Sequence, residues 1–197
     1  PLLSQWTYQA MVHECLGIAN NRCKLQPQQG GSKPPPPAEG EEPLDEVVLS
    51  AEHDEFYHMN MYLNWGEVCQ NIKTMLAKVQ LIDQSNRNIK SIDDMRRILE
   101  NFPQFKQTKG LVSKHVAILE ELARIVKNRS LGEVSQLEQE LACKQDHSGA
   151  LSKLHAFLDK PSYRELDRLK LVMLYALRYQ REPSNATNDF IQKLQSQ

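Results

Sequence analysis

Apolar positions recur at three- and four-residue steps along most of the chain, the spacing of helices that bury one face. Trp65, Val68, Ile72, Met75, Leu76, Val79 and Ile82 form one such stripe, and Asn60 or Asn64 stands where a cap would start the helix. The polar stretch 83–90 suits the turn of a helical hairpin, because Ser91 with Asp94 three residues later has the form of a capping-box start. A second helix is predicted through Ile92, Met95, Ile98, Leu99 and Phe102. Pro103 interrupts it: proline lacks an amide donor and pushes the preceding Phe102 toward extended geometry, so a kink, a break or a hinge is expected there. The spacing resumes at Val112, Val116, Leu119, Leu122 or Ala123, and Val126. Leu111, Ile118 and Ile125 mark a second face, so both faces of this helix are expected to be buried.

Three more helices are predicted over 133–144, 148–159 and 163–179, punctuated by Gly132, Gly149, Pro161 and Pro183. Leu166, Leu169, Val172, Met173, Ala176 and Leu177 mark the last as the central core helix. At the start, Trp6, Tyr8, Met11, Val12, Leu16 and Ile18 describe a helix running into a short strand, and residues 46–50 read as another. Between them, residues 26–43 turn abruptly to Pro, Gly and Gln, with four consecutive prolines from Pro34. Such a run has no amide donors and favours polyproline II, so it reads as a linker. A proline ligand for an SH3-type or WW-type domain is the weaker reading, since no basic specificity residue flanks it. The fold class is therefore mainly α, with two helices suited to a helical hairpin and a few short strands.

Charge narrows the partners. Across 197 residues, 24 Lys and Arg face 25 Asp and Glu, which removes the attraction to phosphate that non-specific nucleic-acid binding needs. The longest apolar run, 171–177, is far short of the ~20 residues that span a bilayer. With no secretory signal segment, the chain is expected to be cytoplasmic and its four scattered cysteines to be free thiols, Cys69 as a small buried hydrophobe. His53, Asp54, Glu55 and His58 are the best local metal cluster, yet only Asp54 and His58 share a helical face, and two ligands are too few. His13, His115, His147 and His155 read as satisfied or exposed residues. No glycine-rich phosphate loop, nucleophile elbow or redox pair of cysteines occurs, and Asp93, Asp94, Glu120 and Glu121 fall on helix starts or exposed faces. Neither enzyme nor cofactor is expected.

Two groups of motifs carry a resemblance. The run 5–14 (QWTYQAMVHE) followed by 44–57 (LDEVVLSAEHDEFY) resembles the SM family, the Sec/Munc-type regulators of SNARE assembly. The runs 91–95 (SIDDM), 101–105 (NFPQF), 112–116 (VSKHV) and 138–143 (EQELAC) are similar to its endosomal branch. The order of these motifs is specific where no single one would be. The resemblance implies an arch-shaped SNARE chaperone, of which residues 1–25 end a central α/β domain and residues 44–197 form the helical third domain. The family's N-terminal syntaxin-binding domain and the closing strands of its α/β domain have no counterpart, so a chain starting at Pro1 is expected to be a piece of a longer one.

The resemblance also implies the site. In the family an irregular helical domain, joined by a few short strands of the α/β domain, projects a helical hairpin, about 65–105 here, as the surface on which SNARE helices align, and the proline bending its second helix matches Pro103. The corresponding contacts are Ile72, Met75, Leu76 and Val79 on the first helix and Ile92, Met95, Arg96, Leu99 and Phe102 on the second. Partners would be syntaxin-type and vesicle SNAREs, which would hold the chain peripherally on endosomal and Golgi membranes. Heptad-bearing SNARE helices fit a helix-in-groove mode. The alternative is a structural helical module whose stripes are all internal core; an enzyme with a dispersed site is a third reading.

Overall fold

The computed structural model describes residues 1–25, 46–87, 92–160 and 162–196, with the helical backbone alone over 83–87 and 92–103. Eight helices and one two-stranded sheet make up the described residues, so the chain is mainly α. They are α1 (Tyr8–Cys15), β1 (Arg22–Lys24), β2 (Glu46–Val48), α2 (Glu55–Asn60), α3 (Trp65–Arg87), α4 (Ile92–Asn128), α5 (Leu131–Cys143), α6 (His147–Leu158), α7 (Glu165–Tyr179) and α8 (Thr187–Gln195). Contacts group the chain into two compact units, one of Trp6–Ala123 and one of Pro1–Gln5 with Arg124–Gln197. The predicted linker, 26–43, lies outside the described residues, as does Ser91 of the predicted capping box.

In the Trp6–Ala123 unit, α1 ends where Gly17 takes a left-handed φ of 74° and its amide bonds back to the Val12 carbonyl at 3.1 Å. Asn20 and Asn21, both at positive φ, then form a two-residue turn closed by paired bonds between Ala19 and Arg22. Asparagine tolerates this left-handed geometry, whose twist suits a hairpin. The turn leads into β1, which pairs antiparallel with β2 in the register Arg22↔Val48, Cys23↔Val47, Lys24↔Glu46. Both strands expected from sequence are present, and residues 6–25 pack within the same unit as residues 46–123.

The other unit has a continuous apolar core from α5, α6, α7 and α8, including Val134, Leu141, Leu154, Leu158, Leu171, Tyr175 and Phe190. Phe157 stacks on Tyr163 with ring centroids 3.8 Å apart. Arg129 clamps the buried Asp167 with Nη2 2.8 and 3.1 Å from its two carboxylate oxygens. Ser4 donates to the buried Glu138 through both its amide and its hydroxyl.

Helix α7 is the core helix, but the face it buries is not the expected one. Of the predicted set only Val172 is buried and Ala176 half-buried, while Leu166, Leu169, Met173 and Leu177 are 43 to 58% exposed. The buried face runs through Asp167, Leu171, Val172, Tyr175 and Tyr179. A tyrosine enters a core when its hydroxyl finds a partner, and Tyr175 Oη lies 2.8 Å from His147 Nε2 and accepts the Ala186 amide at 3.2 Å. Glu121, expected on an exposed face, is buried as well.

These faces make opposite predictions for truncation. Leu171→Ala should cost ~2–5 kcal/mol in urea unfolding of the 197-residue chain, as fully buried leucines do. Leu169→Ala should stay within ~0.5 kcal/mol of the parent; equal losses would mean that the buried face of α7 is wrongly placed.

Candidate functional site

The two longest helices, α3 and α4, carry every residue that the sequence nominates for partner binding. At ~1.5 Å rise per residue they extend over about 35 and 55 Å. Asn64 starts α3 through a reciprocal capping box: its side chain accepts the Glu67 amide at 3.2 Å and its own amide donates to the Glu67 carboxylate at 3.1 Å. The other candidate cap, Asn60, is buried and has a different task, donating to the Phe56 carbonyl and accepting from Asn71 Nδ2, each at 2.7 Å.

Helix α1 joins the start of α3 through its backbone. Its first amides, Tyr8 and Gln9, have no partner within their own helix, and they donate to the carbonyls of Leu63 and Met61 at 3.0 and 2.9 Å. The Trp65 amide returns the bond to the Trp6 carbonyl at 3.1 Å.

A buried polar network fixes α4 in the same place. Asp54 caps α2 by accepting the Tyr57 amide at 2.8 Å. The same carboxylate takes the ammonium of Lys114, which also donates to the Val48 carbonyl at 3.1 Å. His115, fully buried on α4, places Nε2 3.0 Å from both Asp54 oxygens and Nδ1 2.7 Å from Tyr8 Oη. Burial pushes the Tyr8 hydroxyl pKa well above its ordinary value, reinforced by the Asp54 charge, so the hydroxyl is the donor to Nδ1. Burial also pushes the His115 pKa down, only partly offset by Asp54, and a neutral imidazole with its proton on Nε2 satisfies every group. Desolvation alone would raise the Asp54 pKa, but bonds from His115, Lys114 and the Tyr57 amide outweigh it and hold the carboxyl at about 2. The hydroxyl, imidazole and carboxylate stand in the order of a nucleophile relay. Tyr8 is 0% exposed, however, so no substrate reaches the hydroxyl and the array acts as an anchor.

Above the anchor the nominated residues divide. Ile72 and Val79 are buried, Met75 is half-buried and Leu76 is 39% exposed. Leu81 and Ile82, beyond Val79, are exposed as well. Ile92, Met95, Arg96, Leu99, Phe102 and Pro103 lie outside the described side chains. Helix α4 is assigned without interruption from Ile92 to Asn128, so it has no break at Pro103. Cys69 is half-buried, and all four cysteines are free thiols. Among the described residues, no group of three or more His, Cys, Asp or Glu could hold a metal, and no helix is long and apolar enough to cross a membrane.

Sequence reasoning missed the anchor because its members are far apart in the chain: 107 residues separate Tyr8 from His115 and 61 separate Asp54 from it. In the sequence Asp54 stands out only beside His53 and His58, whereas its carboxylate bonds Lys114, His115 and the Tyr57 amide. A lysine and a histidine adjacent on an otherwise apolar stripe were the one available signal.

The Sec1 family model matches residues 1–197. Vacuolar protein sorting-associated protein 45 of Rattus norvegicus is 50% identical over 197 residues, which is 100% of this chain and 33% of that protein. Its Homo sapiens counterpart is 51% identical over 187 residues, 94% of this chain and 31% of that protein. A solved structure of the SM protein Vps45 in complex with the Qa SNARE Tlg2 (1-310) matches with a TM-score of 0.86 at 43% identity, covering 100% of this chain and 34% of that one. The chain therefore spans about a third of the length of the relatives it matches.

The anchor predicts an acid-sensitive stability. A His115 pKa lower in the folded than in the unfolded chain stabilises the fold fully above ~6.5, and this contribution is lost as pH falls below that value toward the folded pKa. Asp54 contributes above its unfolded pKa, and that share is lost only as pH falls toward about 2. Urea unfolding at pH 7.5 and 5.5 should show a decline that is smaller in His115→Gln; an unchanged decline would place the titration elsewhere. Tyr8→Phe, which leaves Nδ1 without a donor, should cost ~1–3 kcal/mol at pH 7.5.

Proposed function

The chain belongs to the Sec1 family, and we propose that it is the SNARE-binding helical part of an SM-type regulator that promotes SNARE assembly and vesicle fusion in endosomal and Golgi transport. The observation that carries this reading is the match over the whole chain to Vps45, solved in complex with a Qa SNARE. The role is one of binding, with syntaxin-type and vesicle SNAREs as partners. They would hold the protein peripherally on the cytoplasmic side of the membrane.

The α3–α4 pair supplies the surface. SNARE helices are disordered before assembly, and a template that aligns two of them lowers the ordering cost they meet on association. Leu76, with Leu81 and Ile82, offers apolar area to such a helix, while Ile72 and Val79 hold α3 in place from its buried side. On α4 the contacts would be Ile92, Met95, Arg96, Leu99 and Phe102, with Pro103 as the hinge that sets how far the distal part of the helix extends. The burial of Ile72 and Val79 also favours the second reading, a structural helical module whose α3 stripe is all core.

Titration of SNARE helices onto the chain separates the two. Leu76→Glu should weaken binding about tenfold or more, since it replaces an apolar contact with a charge that must be desolvated. Pro103→Ala, which restores an amide donor to α4, should change affinity for vesicle SNAREs without loss of the fold. Absence of SNARE binding, both in this chain and in a rat Vps45 carrying it in place of its matching 197 residues, would leave the structural reading.

A further inference from the structure

We infer that the exposed apolar stripe of α7 is a docking face for a helix belonging to the part of the Sec1 fold outside these 197 residues. Leu166, Leu169, Met173 and Ala176 follow the three–four spacing of a heptad seam, with Leu177 beside the last. They lie on one side of α7, and the opposite side carries Leu171, Tyr175 and Tyr179, which are buried against α5, α6 and α8. An apolar face of a helix is one that packs against a neighbour, and α7 has two such faces. Yet Leu166, Leu169, Met173 and Leu177 stay 43, 43, 46 and 58% exposed along a strip about 16 Å long. Four large apolar side chains in register are a contiguous patch rather than scattered surface leucines.

The occupant follows from the extent of the family fold. The chain matches a third of its relatives' length, so two thirds of the family's polypeptide lies outside it. The seam spacing selects an α-helix with its own apolar stripe, packing at the usual interaxial distance of ~8–10 Å. This inference rests on family membership and not on SNARE binding by the α3–α4 pair.

The test places the same substitutions in two settings, the 197-residue chain and a rat Vps45 in which this chain replaces its matching 197 residues. Leu169→Glu with Met173→Glu should leave the melting temperature of the short chain within about 1 °C. In the full-length protein it should lower the melting temperature by at least ~4 °C, or abolish soluble expression. Hydrogen exchange should show the α7 amides better protected in the unsubstituted full-length protein than in the short chain. Equal effects in both settings would make the stripe part of the short chain's own core and overturn the inference. So would no effect in the full-length protein, or failure of the unsubstituted chimera to form a compact monomer. Dimerisation of the full-length chimera lost on substitution would assign the face to a second copy, and loss of SNARE binding with an unchanged melting temperature would assign it to a SNARE. Either result would displace the inference.

Discussion

The Trp6–Ala123 unit depends on one buried carboxylate being shared three ways. Asp54 ends the chain's approach to α2 by capping it, receives the His115 imidazole from α4, and neutralises Lys114, which in turn holds the end of β2. A buried charge is tolerable only when it is paired and its remaining lone pairs are satisfied. Here one ammonium supplies the pairing, and one imidazole and one amide supply the rest. The imidazole needs a donor on its far side, and Tyr8 provides it from α1. Four elements are thereby fixed by a requirement of hydrogen-bond completeness rather than by apolar area alone.

This arrangement explains why α1 belongs at the foot of α3. Its first amides would be orphans if it stood free, and Thr7 gives no side-chain cap. The carbonyls of Met61 and Leu63 stand in for the cap, which places Tyr8 within reach of His115. Phe56 and Tyr57 then close around the pair, with Phe56 and His115 ring centroids 4.5 Å apart. The apolar rings keep water from the polar array, and the low local dielectric strengthens each bond in it while penalising any that is lost.

Helices α1, α3, α5, α6 and α7, the two parts of α4 on either side of Pro103, both strands and an asparagine start for α3 were legible in the sequence because each depends on local spacing or on a side chain bonding its own backbone, whereas the short α2 and α8 were not predicted. The core face of α7 was not, although the helix itself was. Counting apolar residues selected Leu166, Leu169, Met173 and Leu177, whereas the structure buries Asp167, Tyr175 and Tyr179, whose polar atoms find partners in α6, in the α5–α6 and α7–α8 connections, and in Arg129. A helix with two apolar faces gives a pattern of positions no means to rank them; only the partner atoms do. Asp54 follows the same rule, since a carboxylate looks solvated until its distant donors are known.

The residues of the α3–α4 pair present a similar division of labour, and it bears on how a template could work. Helix α4 continues through Pro103, and a proline has no amide to donate to the carbonyl four residues earlier. An interior proline costs ~3 kcal/mol relative to alanine, so the helix is weakest at that turn. On its C-terminal side, Lys114 and His115 tie the helix to α2, β2 and α1 within about three turns. A conformational change in α4 would therefore cost least on the N-terminal side of the proline. Such a change would leave the anchor in place, since its bonds all lie on the C-terminal side.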